Sequence, residues 1–434
     1  MSAERQTVTT DQLAIGMYVA ELDRPWLETP FLFQGFYIEN SKDISELQAH
    51  CQYVLVDPGR YDPAPAPRRG VAKARGKAER KEPKGQKRRG TGIASASTTK
   101  RQRRVIMEDV EEEYRPLDTN VLRRQIVEAK LAHEQTVGAV SHIFESLRSG
   151  SEMQLEAAEQ AIEPMVESVV RNEDALSWLA RMKKKQDYIH DHSIASCVWA
   201  MIFGKHLGLE SDMLKVLGLG ALLMDVGKTK VPTDILIKEG KLSDDEQSLM
   251  RQHVQFGLEI ARGVDGVDAR VIEMIGSHHE RHNGTGYPAG LNGSAIPVFA
   301  RIGGIVDAYD AMTTSRPYAR PISTCEAMRR LNDLAGVEFQ AEMVEQFVQA
   351  VGVFPVGTLV ELSNGTVGVV IAQNRTRRLR PQIMVLTDED KTPLSTFRTL
   401  DLRDTLVDAN GGSLYILNGL PPGAHGLNPS EYYL

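Results

Sequence analysis

The spacing of apolar residues changes character along this chain, and each change predicts a different kind of element. From Asn120 to Leu147 apolar positions recur at helical intervals (Val121, Ile126, Ala129, Leu131, Val137, Val140, Ile143, Leu147). Ser149-Gly150 interrupts the pattern, and Met153 to Val170 resumes it with Ala157, Ala161, Met165 and Val169. Two amphipathic helices of this kind predict a packing or dimerisation surface. From Asp187 to Gln349 the chain reads as helical throughout, with breaks at Gly208, Gly240, Gly266 and a Gly-rich stretch near residue 286. Past Pro355 the pattern turns to strands: Thr358 to Leu362, Thr366 to Ala372 and Gln382 to Thr387, with Ser363-Asn364-Gly365 as a hairpin turn. Arg375, Arg377, Arg378 and Arg380 fall in a loop between strands, read as solvated. Residues 7–60 predict a compact, mainly β unit: Met17-Tyr18-Val19 as strand, an aromatic run from Thr29 to Ile38, and a short helix from Ile44 to Cys51 before Tyr53 to Asp57.

The expected organisation is therefore a mainly α chain with small β units at both ends. Its segments are 1–62, a small β-rich domain; 63–106, a linker; 107–184, amphipathic helices; 185–354, an all-helical catalytic domain; and 355–434, a small β appendage. Charge sharpens the second of these. The formal net charge of -7 hides a segment from Arg68 to Arg104 with fifteen Lys or Arg against two Glu, a local +13, which leaves -20 for the remainder. That segment is rich in Pro, Gly, Ala and Ser and nearly free of apolar residues, so it predicts a disordered basic linker. It lacks interleaved aromatics, which argues against single-stranded nucleic acid as a partner. Cys51, Cys197 and Cys325 are far apart with no C-x-x-C, which predicts neither a disulfide framework nor a thiolate zinc site. No signal-peptide pattern opens the chain, and runs such as Val198 to Phe203 and Leu217 to Leu223 are too short to cross a bilayer, so a cytoplasmic location is expected.

Candidate chemistry concentrates in His278-His279-Glu280-Arg281-His282-Asn283-Gly284-Thr285-Gly286-Tyr287-Pro288. Two adjacent imidazoles, metal ligands at neutral pH, run into a Gly-rich turn closed by Tyr-Pro. His192 and Asp225 lie upstream, His253 between, and Asp307 downstream, each on or at the end of an apolar helix. Four His and two Asp so arranged are the makings of a two-metal hydrolytic centre. His190, His206 and His282 are read as structural, since a lone helical His seldom has a role.

These residues closely resemble the HD-GYP family, bacterial phosphodiesterases of the HD superfamily that open cyclic di-GMP. The HHExxNGxGYPxGL signature stands here as His278 to Leu291, with His192-Ser193, the H-x-x-x-G element His253 to Gly257, and a D-x-Y-D-A-M-T-x-x-R-P-Y segment from Asp307 to Tyr318. Leu13, then Gly16-Met17-Tyr18-Val19, then Leu22-Asp23-Arg24-Pro25-Trp26, resembles the small uncharacterised domain often found in front of such domains. The resemblance implies two divalent ions, Fe or Mn by the nitrogen and oxygen donors, sharing a hydroxide nucleophile and clamping phosphoryl oxygens. It implies Asp225 as the bridging carboxylate, with His253, His278 and His279 completing one ion's shell, and His192 and Asp307 serving the other. Lys228 would contact substrate phosphate or the nucleophile, and Arg316 would clamp phosphate. Tyr287 and Pro288 would wall the pocket, Tyr287 stacking on guanine or docking a partner. Gly284 and Gly286 would let backbone approach closely.

One departure matters. The family's H-D-x-G-K element reads Met224-Asp225-Val226-Gly227-Lys228 here, so the second ion loses an imidazole to a weak, neutral thioether. Tyr188 stands where a Glu helps a third ion in some members, and Ala319, beside Arg320, stands where the family is often basic. The expected function is hydrolysis of cyclic di-GMP to pGpG and onward to GMP. The alternative is a catalytically degenerate member, a cyclic di-GMP receptor or a module that binds GGDEF-type cyclases through the GYP surface. A hydrolase of another nucleotide is the third reading, opposed by the intact GYP loop. The paired helices ahead of the domain point to a homodimer.

Overall fold

The computed structural model describes residues 6–23, 36–38, 41–58, 119–181, 188–316, 320–374, 377–404 and 413–428. The basic segment 63–106, most of the aromatic run from Thr29, Tyr318, Ala319 and Arg375 lie outside the described residues. The N-terminal unit consists of strands β1 (Gln6–Thr9), β2 (Tyr18–Leu22) and β3 (Phe36–Tyr37), helix α1 (Ser41–His50) and strand β4 (Tyr53–Val56). Its antiparallel sheet runs β1-β4-β2-β3. Val19, Ile38, Leu47 and Val54 are buried in a small core of its own.

The helical part begins with α2 (Thr119–Arg148), α3 (Leu155–Arg171) and α4 (Glu173–Arg181). It continues with α5 (Tyr188–His206), α6 (Ser211–Leu223), a 3-10 turn at Val226–Lys230, α7 (Thr233–Leu236), α8 (Asp244–Arg251) and α9 (His253–Arg262). It closes with α10 (Ala269–Ser277), α11 (Val298–Thr313), α12 (Thr324–Leu334) and α13 (Ala341–Val351). Helices α2 and α3 realise the two amphipathic segments, with Ala161, Met165 and Val169 turned into the core. Helix α4 is short, and every residue from Ala175 to Ala180 is buried.

Aromatic side chains tie the helices together. Trp199 of α5 meets Tyr309 of α11 edge-on at 5.3 Å between centroids, Tyr309 meets Phe347 of α13 at 5.2 Å, and Phe347 meets Phe203 of α5 at 5.3 Å. Such edge-to-face pairs add directional preference to area burial. They fix the rotation of α5 and α11 about their own axes, and those two helices carry His192, Asp307 and Asp310.

The C-terminal sheet contains β5 (Leu359–Leu362), β6 (Val367–Ala372), β7 (Gln382–Thr387), β8 (Pro393–Asp401) and β9 (Ile416–Leu420) in the order β8-β7-β6-β5-β9. The β5–β6 hairpin turns through Gly365 at φ 85°, a conformation glycine adopts without a Cβ clash. The two strands with no expectation from sequence, β8 and β9, are the sheet's edges. None of their residues is fully buried, so the apolar alternation that betrays a half-buried strand is missing. Val360, Leu362, Val369 and Ile383 belong to the same continuous core as Trp178, Phe203 and Phe347. The sheet and the helices therefore share their stability. Leu362→Ala, at a fully buried position, is expected to cost about 2–5 kcal/mol. In urea titration followed by far-UV circular dichroism, the helical signal should shift to lower midpoint with it.

Candidate metal centre

Each candidate ligand sits where a helix ends or where two helices are forced together. Helix α6 stops at Leu223, and Asp225 leaves helical geometry at φ -102°, ψ 9°, which turns its carboxylate inward. A capping box between Ser243 and Glu246 starts α8, and a single residue, Gln252, separates its end from α9, so His253 opens α9. The turn that carries Asp225 lies on α9 backbone to backbone. A Cβ on Gly227 would stand 1.9 Å from the His253 carbonyl oxygen and 2.4 Å from the Gly257 nitrogen. Only glycine permits this approach, which brings Asp225 and His253 together.

Asp225, 1% exposed, is the hub. Its Oδ1 faces His253 Nε2 at 3.3 Å and His278 Nε2 at 3.8 Å. Its Oδ2 faces His192 Nε2 at 3.4 Å and accepts from Lys228 Nζ at 2.6 Å. His192 Nε2 also lies 3.0 Å from Asp307 Oδ1, and His279 Nδ1 lies 3.9 Å from Asp307 Oδ2. Two donor sets result, each gathered within 4.8 Å: Asp225, His253, His278 and His279; and His192, Asp225 and Asp307.

Backbone carbonyls settle which imidazole nitrogen faces the centre. His253 donates from Nδ1 to the Met250 carbonyl at 2.7 Å, and His278 donates from Nδ1 to the Ile275 carbonyl at 3.0 Å. Both Nε2 atoms are left with their lone pairs turned inward, and neither they nor Asp225 Oδ1 hydrogen-bond to a protein group. Buried polar atoms are normally satisfied. Three orphaned acceptors in one place are the donor chemistry a divalent cation takes. Burial pushes His253 down to about 4, and burial together with His278 holds His279 well below its usual range, so both imidazoles are neutral. Burial also works against charge on Asp225, but Lys228, His192 and His278 outweigh it and keep the carboxyl ionised. At His192 burial opposes the proton, and hydrogen bonds to Asp225, Asp307 and Asp310 overcome it, raising the imidazole to about 10. Its Nδ1 lies 2.7 Å from Asp310 Oδ2, whose other contacts include the Thr314 hydroxyl.

The loop after the paired histidines folds back on them. Glu280, 4% exposed, accepts from the amides of Ala289 at 2.7 Å and Leu291 at 2.9 Å. Asn283 Oδ1 accepts from the Thr285 amide and hydroxyl, shaping the turn, while Tyr287 donates its amide to the His279 carbonyl. A Cβ on Gly286 would stand 2.5 Å from that carbonyl oxygen. Tyr287, joined to Pro288 by a cis peptide, stacks on His279 with centroids 4.7 Å apart and planes 24° apart. The Arg251 guanidinium carbon lies over the same ring, 4.9 Å from its centroid.

Comparison with known proteins bears directly on this arrangement. Residues 156–343 match the HD domain family, 5–158 match a domain of unknown function, DUF3391, and 359–407 match the KOW domain associated with HD domains. The chain is 31% identical over 381 residues to the cyclic di-GMP phosphodiesterase PA4108 of Pseudomonas aeruginosa, covering 87% of this chain and 84% of that protein. The chain belongs to the HD-GYP family. Shorter matches fall on the cyclic di-GMP phosphodiesterase response regulator RpfG of Xanthomonas campestris (34% identity; 35% of this chain, 40% of that protein). Another is the 3'3'-cGAMP-specific phosphodiesterase 1 of Vibrio cholerae (38% identity; 33% of each). HD domains bind divalent metal, and the two donor sets here are chemically suited to it.

Of the residues singled out from sequence, His192, Asp225, Lys228, His253, His278, His279 and Asp307 converge on one centre, with Gly286 and Tyr287 packed against it. Pro288 is exposed on the loop, and Arg316 is half-buried, just past the end of α11. Met224 is fully buried and belongs to the apolar core. His190 is a structural residue, 3.3 Å from the Ser141 hydroxyl and edge-on to Phe144. Sequence reasoning passed over Glu280 and Asp310, although both stand inside HD-GYP signatures. Their spacing from the ligands says nothing of which group they brace. It also passed over Arg251, which no motif contains. Glu280→Ala would remove the shared acceptor of the Ala289 and Leu291 amides, costing about 1 kcal/mol for each partly buried bond. Hydrogen exchange read by mass spectrometry should show protection lost over 286–291 while α5 and α6 keep theirs.

Proposed function

We propose that this HD-GYP protein is a metal-dependent phosphodiesterase that hydrolyses cyclic di-GMP to linear pGpG and onward to GMP, using two divalent ions, Fe or Mn. The observation that carries the reading is the division of one carboxylate between two donor sets: Asp225 Oδ1 turns to His253 and His278, and Oδ2 to His192. That is the disposition of a bridging ligand. His253, His278 and His279 would complete one site, and His192 with Asp307 the other. Ions held there would supply Lewis acidity and an activated water for attack on phosphorus. Lys228, paired with Asp225 Oδ2 and only partly buried, can turn its ammonium to an incoming phosphate oxygen. Arg316 would neutralise phosphate charge from the far end of α11. Asp310 holds the His192 ring in place through Nδ1, the arrangement by which carboxylates orient ligating imidazoles.

The surrounding surfaces fit a signalling role. Pro288, Ala289 and Gly290 are exposed, a face on which a GGDEF-type cyclase could dock. Val127 and Leu131 point outward from α2, where a second copy would pack. Degradation of an intracellular messenger belongs in the cytoplasm, and among the described residues no helix is long and apolar enough to cross a membrane.

A second reading rests on Met224. With a core methionine in place of an imidazole, one donor set has three protein ligands against four in the other. The two sites would then load unequally, and a one-ion protein could retain cyclic di-GMP without cutting it. The test is anaerobic reconstitution with Fe(II) or Mn(II), metal analysis, and chromatography of cyclic di-GMP for pGpG and GMP. The expected result is turnover that Asp225→Ala abolishes, a loss greater than the about 10- to 100-fold typical of outer-shell changes. Met224→His should raise metal content and turnover together. Retention of cyclic di-GMP with no product from either protein would establish the receptor reading instead.

A further inference from the structure

A cyclic dinucleotide carries two phosphodiesters. While one is presented to the metal ligands, the other stands off by the width of the ring and needs its own counter-charge. Lys228 and Arg316 are the cations assigned above to the phosphate at the metal ligands. The place three residues after Arg316 that is often basic in the family is Ala319. A further cation stands on another element.

Arg251 is that cation. It is the last residue of α8, two positions before the ligand His253, and it is exposed. Its guanidinium carbon lies over the Tyr287 ring at 4.9 Å, and that ring is itself stacked on the ligand His279 at 4.7 Å. Among the described residues it makes no ion pair. A cation–π contact uses the electrostatics of the ring face and consumes no N–H donor. Arg251 is therefore localised beside the metal ligands with its donors available, and a guanidinium matches a phosphodiester's pair of oxygens.

We propose that Arg251, held on Tyr287, is the contact for the second phosphate of the substrate, and so a determinant of selectivity for cyclic dinucleotides over simple phosphodiesters. On this view Tyr287 serves as the platform for a cation and not as the stacking partner of a guanine. The proposal rests on the cyclic-dinucleotide reading above, and the experiment separates the two.

Wild type, Arg251→Ala and Arg251→Lys, matched for metal content and melting temperature, would be assayed on cyclic di-GMP and on bis(4-nitrophenyl) phosphate, which has a single phosphodiester. Loss of one charge-assisted contact should raise KM for cyclic di-GMP roughly 10- to 100-fold in Arg251→Ala. The ratio of kcat/KM for cyclic di-GMP to that for bis(4-nitrophenyl) phosphate should fall by a similar factor. Arg251→Lys should recover part of the loss by restoring charge without the fork. Equilibrium retention of cyclic di-GMP should lose part of its salt dependence in Arg251→Ala, which a purely structural role for Arg251 would not produce. Equal losses on both substrates, or an unchanged KM and salt dependence, would overturn the role of Arg251 while leaving the function intact. A wild-type protein that cleaves bis(4-nitrophenyl) phosphate but neither cleaves nor retains cyclic di-GMP would overturn the substrate reading, and Arg251's role with it.

Discussion

Everything in the catalytic region is arranged around a carboxylate that has been removed from water. A buried Asp that meets no partner takes up a proton, because the desolvation cost of the charge is prohibitive. Asp225 stays ionised because Lys228, His192, His253 and His278 surround it. Those partners come from α5, α9, the end of α10 and the turn after α6. No single element could supply them. The fold's task is to deliver four separate segments of chain to one point.

Two kinds of packing accomplish this. The aromatic chain from Phe203 through Phe347 and Tyr309 to Trp199 fixes α5 against α11, and so fixes His192 against Asp307 and Asp310. Close backbone contact fixes the rest: the Asp225 turn against α9, and the GYP loop against the carbonyl of His279. The C-terminal sheet extends the same core, with β9 packed against α12.

The ligands were legible because metal chemistry restricts residue types severely, and His and Asp at the ends of apolar helices stand out. The helices α2 and α3 were legible because each buries one face, and the strands β5 to β7 because each is a short apolar run, buried almost throughout and bounded by turn residues. What escaped has a common physical origin. Helix α4 is only nine residues long, and β8 and β9 have no fully buried residue, so none leaves an extended apolar pattern. Glu280 and Asp310 act on backbone amides and on another side chain, partners that no spacing rule reveals. Arg251 closes on Tyr287 from thirty-six positions away, a contact that exists only after folding.

The Gly227 contact changes what tolerance to substitution can report about this chain. Gly227 belongs by sequence to one motif and His253 with Gly257 to another, yet the three share a single interface in space. A library of variants scored for survival would rank Gly227 beside Asp225, although Gly227 carries no group able to bind an ion or move a proton. Intolerance at such a position measures how closely two backbones must lie. In a site built this way a map of essential residues is first a map of the scaffold's clearances, and chemistry occupies only part of it.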